Sequence, residues 1–122
     1  MIRLFLFLGS INMFLSVALG AFGAHQLKGR LSPGMLEIYQ TGVHYQMIHG
    51  LAILFIALVG EKLSGTLPTW SGWLMQIGII LFSGSLYALS TSGIRVLGAI
   101  TPIGGVAFLA GWALLAIAAF KG

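Results

Sequence analysis

Eight residues of this chain are of types that could do chemistry if the fold brought them together: His25, Glu37, Gln40, Thr41, His44, Tyr45, His49 and Arg95. Six of them fall in the segment EIYQTGVHYQMIH, and at about 100° per helical residue Gln40, Thr41, His44 and Tyr45 lie within roughly 80° of Glu37. His49 sits near the margin of that arc, while Tyr39 and Gln46 point away from it. An imidazole with a carboxylate one or two turns away could bind a polar ligand or pass a proton. Arg95 could pair with Glu37 and hold two connections together, with His25 at the same end of the molecule. The same side chains also suit a membrane interface, where tyrosine, histidine and an acidic first turn are at home. Glu37 to Tyr45 occupy the shallow end of their helix and favour that structural use; His49 lies deeper.

Other chemistries fit poorly. His44 and His49 are five residues apart and miss the i, i+4 spacing of paired helical ligands, so neither a metal site nor a cofactor is expected, and a haem or metal redox protein is the least favoured reading. Cysteine is absent, which removes thiolate ligands, cysteine nucleophiles and disulfides. The chain has no aspartate, and of its two acidic residues only Glu37 lies near a histidine, so no hydrolytic triad can be assembled and a non-enzymatic protein is expected.

The elements that must carry these residues are set by composition. Of 122 residues 58% are hydrophobic and 7% charged, against roughly 25% charged in an ordinary soluble domain. Such a chain cannot cover its apolar surface with polar groups. Its apolar stretches match the roughly 20 residues that cross about 30 Å of hydrocarbon. The expected fold is an all-α membrane protein, one domain over residues 1–122, with four antiparallel transmembrane helices at about 4–24, 33–60, 71–89 and 96–120. The first stretch exceeds the 7 to 15 apolar residues typical of a signal peptide, which favours a helix. Ser32 and Pro33 make a cap and first turn for the second helix, and Pro102 should bend or delay the fourth. Trp70 and Trp73 suit an interfacial belt.

The net charge of +4 is dispersed at the ends of the apolar stretches, a pattern for membrane lipid headgroups and not for nucleic acid. Arg3, Lys62, Lys121 and the amino terminus fall on one side, and Lys28, Arg30 and Arg95 on the other. The near balance tips toward a cell-membrane protein with both termini cytoplasmic.

Helices associate in lipid by close packing of small residues. Ser16, Gly20 and Ala24 share one face of the first helix; Gly84 in the third and Gly104, Gly105 and Gly111 in the fourth offer further approach surfaces. Asn12, in mid-span, needs a polar partner in the bundle or across an oligomer interface.

The strings GAFGAHQL (20–27), YQTGVHYQMIHGLAIL (39–54), LFSGSLYAL (81–89) and ITPIGGVAFLAGW (100–112) together resemble the small membrane proteins of the domain of unknown function 423 family, which includes the eukaryotic transmembrane protein 256. The resemblance covers nearly the whole chain and implies a four-span membrane protein; it brings no catalytic residues. The expected role is a self-associating or accessory membrane component, with a homo-oligomer or a membrane complex as its partner. The alternative is a small-solute or proton pathway entered through the Glu37 and His44 face.

Overall fold

The computed structural model describes residues 2–122. Four helices, each long and apolar enough to cross a membrane, account for almost all of it: α1 (Ile2–Leu27), α2 (Pro33–Lys62), α3 (Leu67–Ser92) and α4 (Arg95–Lys121). Their ends follow local chemistry. Gly29, at φ 88°, turns the chain out of α1 in a left-handed conformation that glycine adopts without strain. The Ser32 side chain accepts a hydrogen bond from the Met35 amide at 3.2 Å and Pro33 occupies the first turn of α2, as the sequence predicts. Gly93, at φ 75°, closes α3, its amide donating to the Leu89 carbonyl at 2.8 Å. Pro102 delays α4: a 3₁₀ turn over Arg95–Ala99 precedes the α-helix Thr101–Lys121.

Two helices contain a wider π-helical turn, Ala18–Gly23 in α1 and Ile79–Ser83 in α3. Nothing in the sequence reading anticipated either. A π turn inserts a residue and swings the following face around the axis.

Helices α2 and α3 form the centre; α1 packs against α2, and α4 against α3. An apolar cluster of Phe5, Ile53, Ile56, Met75, Ile79 and Phe108 fills the half nearer the termini. Large residues such as Phe14, Leu58, Ile80, Val106 and Leu109 remain exposed on the outside, which is the surface a bilayer solvates.

The small residues singled out for packing divide. Ser16 is fully buried and donates to the Asn12 carbonyl at 2.7 Å. Gly20 lies against Val43 of α2, and Gly111 against the Met75 sulfur and the Ser71 carbonyl, to which a Cβ would come within 3.3 Å. Gly104 brings α4 against the backbone of α3, since a methyl group there would overlap the backbone of Phe82. Ala24 is half-buried, and Gly105 stands back from Phe82 at the edge of a groove. Gly84 has no neighbour inside the chain: a Cβ there would meet nothing within 4 Å. The π turn before it directs Ser83 inward, where its hydroxyl donates to the Gly42 carbonyl at 2.7 Å, and leaves Gly84 outside.

These placements separate two glycines of the same composition. Gly104→Ala should destabilise the folded bundle by about 1–3 kcal/mol through overpacking, whereas Gly84→Ala should change it by less than about 0.5 kcal/mol; reversible unfolding in bicelles distinguishes the two.

Candidate functional site

Which face of α2 turns inward decides the site. The buried residues include Tyr39, Gly42, Val43, Gln46, His49, Gly50 and Ile53, at helical steps of three and four. Glu37, Gln40, His44 and Tyr45 are exposed, and with the half-buried Thr41 they line an outer rim at one end of the bundle. The polar stripe from Glu37 to Tyr45 is therefore mostly outside. The physical reason lies in Gly42 and Gly50, which flank Gln46: they let α3 and α1 come close enough for its amide to reach partners, with Gly42 against the Tyr87 ring and the Ser83 carbonyl, and Gly50 against Asn12.

The interior polar group is a network that crosses three helices. The Asn12 amide nitrogen donates to the Gln76 side-chain oxygen at 2.7 Å and to the Leu8 carbonyl at 2.9 Å. Gln46 Nε2 donates to Asn12 Oδ1 at 3.1 Å, and the Tyr87 hydroxyl donates to Gln46 Oε1 at 2.7 Å. Asn12 thus finds in α2 and α3 the partner its depth requires. Two turns further toward the rim the buried Tyr39 hydroxyl donates to the Leu19 carbonyl at 2.6 Å, inside the π turn of α1, and its ring lies 5.4 Å from that of Tyr87. Among the described residues every buried side-chain nitrogen and oxygen has a partner. Interhelical bonds of this kind contribute about 0.6 to 2 kcal/mol each in a membrane.

His49 is the deep histidine, and both of its nitrogens are engaged. Nδ1 lies 2.8 Å from the Tyr45 carbonyl, an acceptor only, so Nδ1 carries the proton and donates. Nε2 lies 3.0 Å from Trp112 Nε1, a donor only, so Nε2 accepts. The two partners together require the neutral Nδ1–H tautomer. The ring stacks on Phe108 with centroids 3.5 Å apart and planes within 10°, and Tyr45 lies beside it at 6.1 Å. This contact joins α2 to α4 across an open lateral groove of about 570 Å³ that His44, Tyr45, Gly105, Val106 and Leu109 also line.

The other expected site residues stay apart. His25 is exposed near the end of α1 and Arg95 in the turn leading into α4; neither lines the rim that Glu37 and His44 share. Thr41 donates at 3.0 Å to the backbone carbonyl of Glu37, not to its carboxylate. Among the described residues no three histidine or acidic side chains come together around a point where an ion could sit. Sequence reasoning missed Tyr39, Gln46, Gln76, Tyr87 and Trp112. Its usable signal was Asn12 in one span and an amide in each of the next two, with glycines four residues on either side of Gln46.

The match to known proteins covers most of the chain. A family model described as "Protein of unknown function (DUF423)" matches residues 19–105. The sequence is 51% identical over 120 residues to the UPF0382 membrane protein YwdK of Bacillus subtilis, spanning 98% of each chain. It is 50% identical over 119 residues to the UPF0382 membrane protein SAB0533 of Staphylococcus aureus, spanning 98% of this chain and 97% of that one. The UPF0382 membrane protein SH2409 of Staphylococcus haemolyticus is 47% identical over the same length. No solved structure matches the chain.

The His49 geometry makes a spectroscopic prediction. Nitrogen-15 spectra of the reconstituted protein should show His49 protonated at Nδ1 and bare at Nε2 near neutral pH, and Trp112→Phe should move the Nε2 resonance while leaving Nδ1–H in place.

Proposed function

Since the chain belongs to the DUF423 family of membrane proteins, whose function is unknown, we propose that it serves the cell membrane as a non-enzymatic component acting by association, first of all with copies of itself. The observation that carries this reading is the open small-residue step on α3. Gly84 has no neighbour within 4 Å of where a Cβ would stand, and Ala88, one turn on, is exposed. In lipid such a step is a place for another helix to approach, because small residues let backbones come close. The polar groups of the interior support it from the other side: they are spent on each other in holding α1, α2 and α3 together.

A permeation pathway through the Glu37 and His44 face has less support. Those residues lie on the outer rim, and the interior toward the termini is packed with Ile53, Ile56 and Met75, each fully buried.

Gly84→Leu tests the association directly, since a Cβ there would meet nothing within 4 Å inside its own chain. The parent protein should run as a defined oligomer in nanodiscs, and the variant as a monomer of unchanged helicity; a parent that is monomeric throughout sinks the reading. Gly20→Leu is a poorer probe because Gly20 already touches Val43. The proposed orientation, with both termini cytoplasmic, is checked on this cysteine-free background by Ser64→Cys, which lies in the connection on the same side. In intact cells an impermeant maleimide should leave it unlabelled until the membrane is opened.

A further inference from the structure

We propose that the groove between α2 and α4 is a binding site for one phospholipid with a primary-amine headgroup, the amine at the Glu37 rim and an acyl chain running down to His49 and Trp112. The inference is independent of self-association through α3. Three observations point to it.

The first is length and direction. The outer rim of Glu37, Gln40 and Thr41 and the lateral groove share His44 and Tyr45, so they adjoin. From Glu37 to His49 the α2 axis advances about 18 Å at 1.5 Å per residue. That is the depth from headgroup to bilayer centre, given a hydrocarbon core of about 30 Å. The groove opens sideways, toward the acyl chains, and its volume of about 570 Å³ lies within the roughly 300–1,000 Å³ of ligand clefts.

The second is the change in chemistry along it. At the shallow end stand a carboxylate, an amide, a hydroxyl and an imidazole. Deeper, the walls are Ile48, Val106, Phe108 and Leu109, and the polar atoms that remain, on His49 and the Trp112 indole, are bonded to each other. The floor therefore asks nothing of a hydrocarbon chain but contact. Gly105 widens the groove, since a Cβ there would come no nearer than 4.0 Å to Phe82.

The third is charge. Glu37 is one of two acidic residues in a chain of net charge +4, and it stands at the groove mouth. Its exposed carboxylate complements an ammonium with hydrogens to donate, and repels an anionic headgroup. A choline headgroup has the charge but no N–H to give.

Trp112 reports on the groove. In the Trp70→Phe/Trp73→Phe background it is the sole tryptophan. Nanodiscs of phosphatidylcholine are doped with equal fractions of brominated-chain phosphatidylethanolamine, phosphatidylglycerol or phosphatidylcholine. Brominated phosphatidylethanolamine should quench Trp112 with about two- to fivefold higher apparent affinity than the other two, the factor an exposed charge pair supplies. Glu37→Gln should reduce it to the phosphatidylcholine level, and Gly105→Leu, which fills the groove, should weaken quenching by all three. Equal quenching by the three headgroups in the parent background overturns the assignment. So does preference for phosphatidylglycerol, or an ethanolamine preference that survives Glu37→Gln.

Discussion

In hydrocarbon a polar atom can be satisfied only by another atom of the protein. This constraint acts on Asn12 first. Two turns beyond the start of the apolar interior, its amide draws Gln76 from α3 and Gln46 from α2, and Gln46 in turn holds the Tyr87 hydroxyl. Each bond is modest, but together they fix the register of three helices against one another, because a slide of one residue would strand an amide in an apolar medium. Apolar packing supplies no such register, since lipid tails are as good a solvent for leucine as the bundle is.

The backbone is shaped to let that network close. Glycines at 42 and 50 bring α2 against α3 and α1, and Gly104 brings α4 onto the Phe82 backbone. The two π turns serve the same end. In α1 the turn places the Leu19 carbonyl where the Tyr39 hydroxyl reaches it; in α3 the turn brings Ser83 to the Gly42 carbonyl. Serines at helix crossings repeat the device: Ser71 bonds the Gly111 carbonyl at 2.6 Å, joining α3 to α4. The bundle is thus held by side chains that bond across to a neighbour's backbone as much as to each other.

Helix α2 has polar residues on two faces, and they have different fates. Tyr39 and Gln46 are committed to the interior; Glu37, Gln40 and His44 are left at the rim. His49 stands between, buried from its own helix yet forming the wall of a groove that opens to the membrane, with its tautomer set by Tyr45 and Trp112. Interior polarity in this protein is structural, and the groups positioned to meet lipid, solvent or another chain lie on its outside. That division is the reason the functional reading rests on α3's outer face and on the α2–α4 groove.

The helical bundle was legible from composition alone: four long apolar runs in a chain this poor in charge leave only membrane-spanning helices, because only a helix satisfies its own backbone in lipid. Local punctuation was legible too, in Ser32, Pro33 and Pro102, since caps and first turns depend on nearest neighbours. The need of Asn12 for a partner could be read, but not which partner. What tertiary structure decided was rotation about each helix axis. About half a turn of the helical wheel separates Glu37, Thr41 and His44 from Tyr39, Gly42 and Gln46, and both faces are polar, so hydrophobic pattern cannot choose between them. The choice fell to whichever face could come close enough to bond, and that depends on glycines and amides in helices far along the chain. The two π turns belong to the same class, for they are stabilised by contacts between helices and leave no mark on the local sequence that distinguishes Ser83 from Gly84.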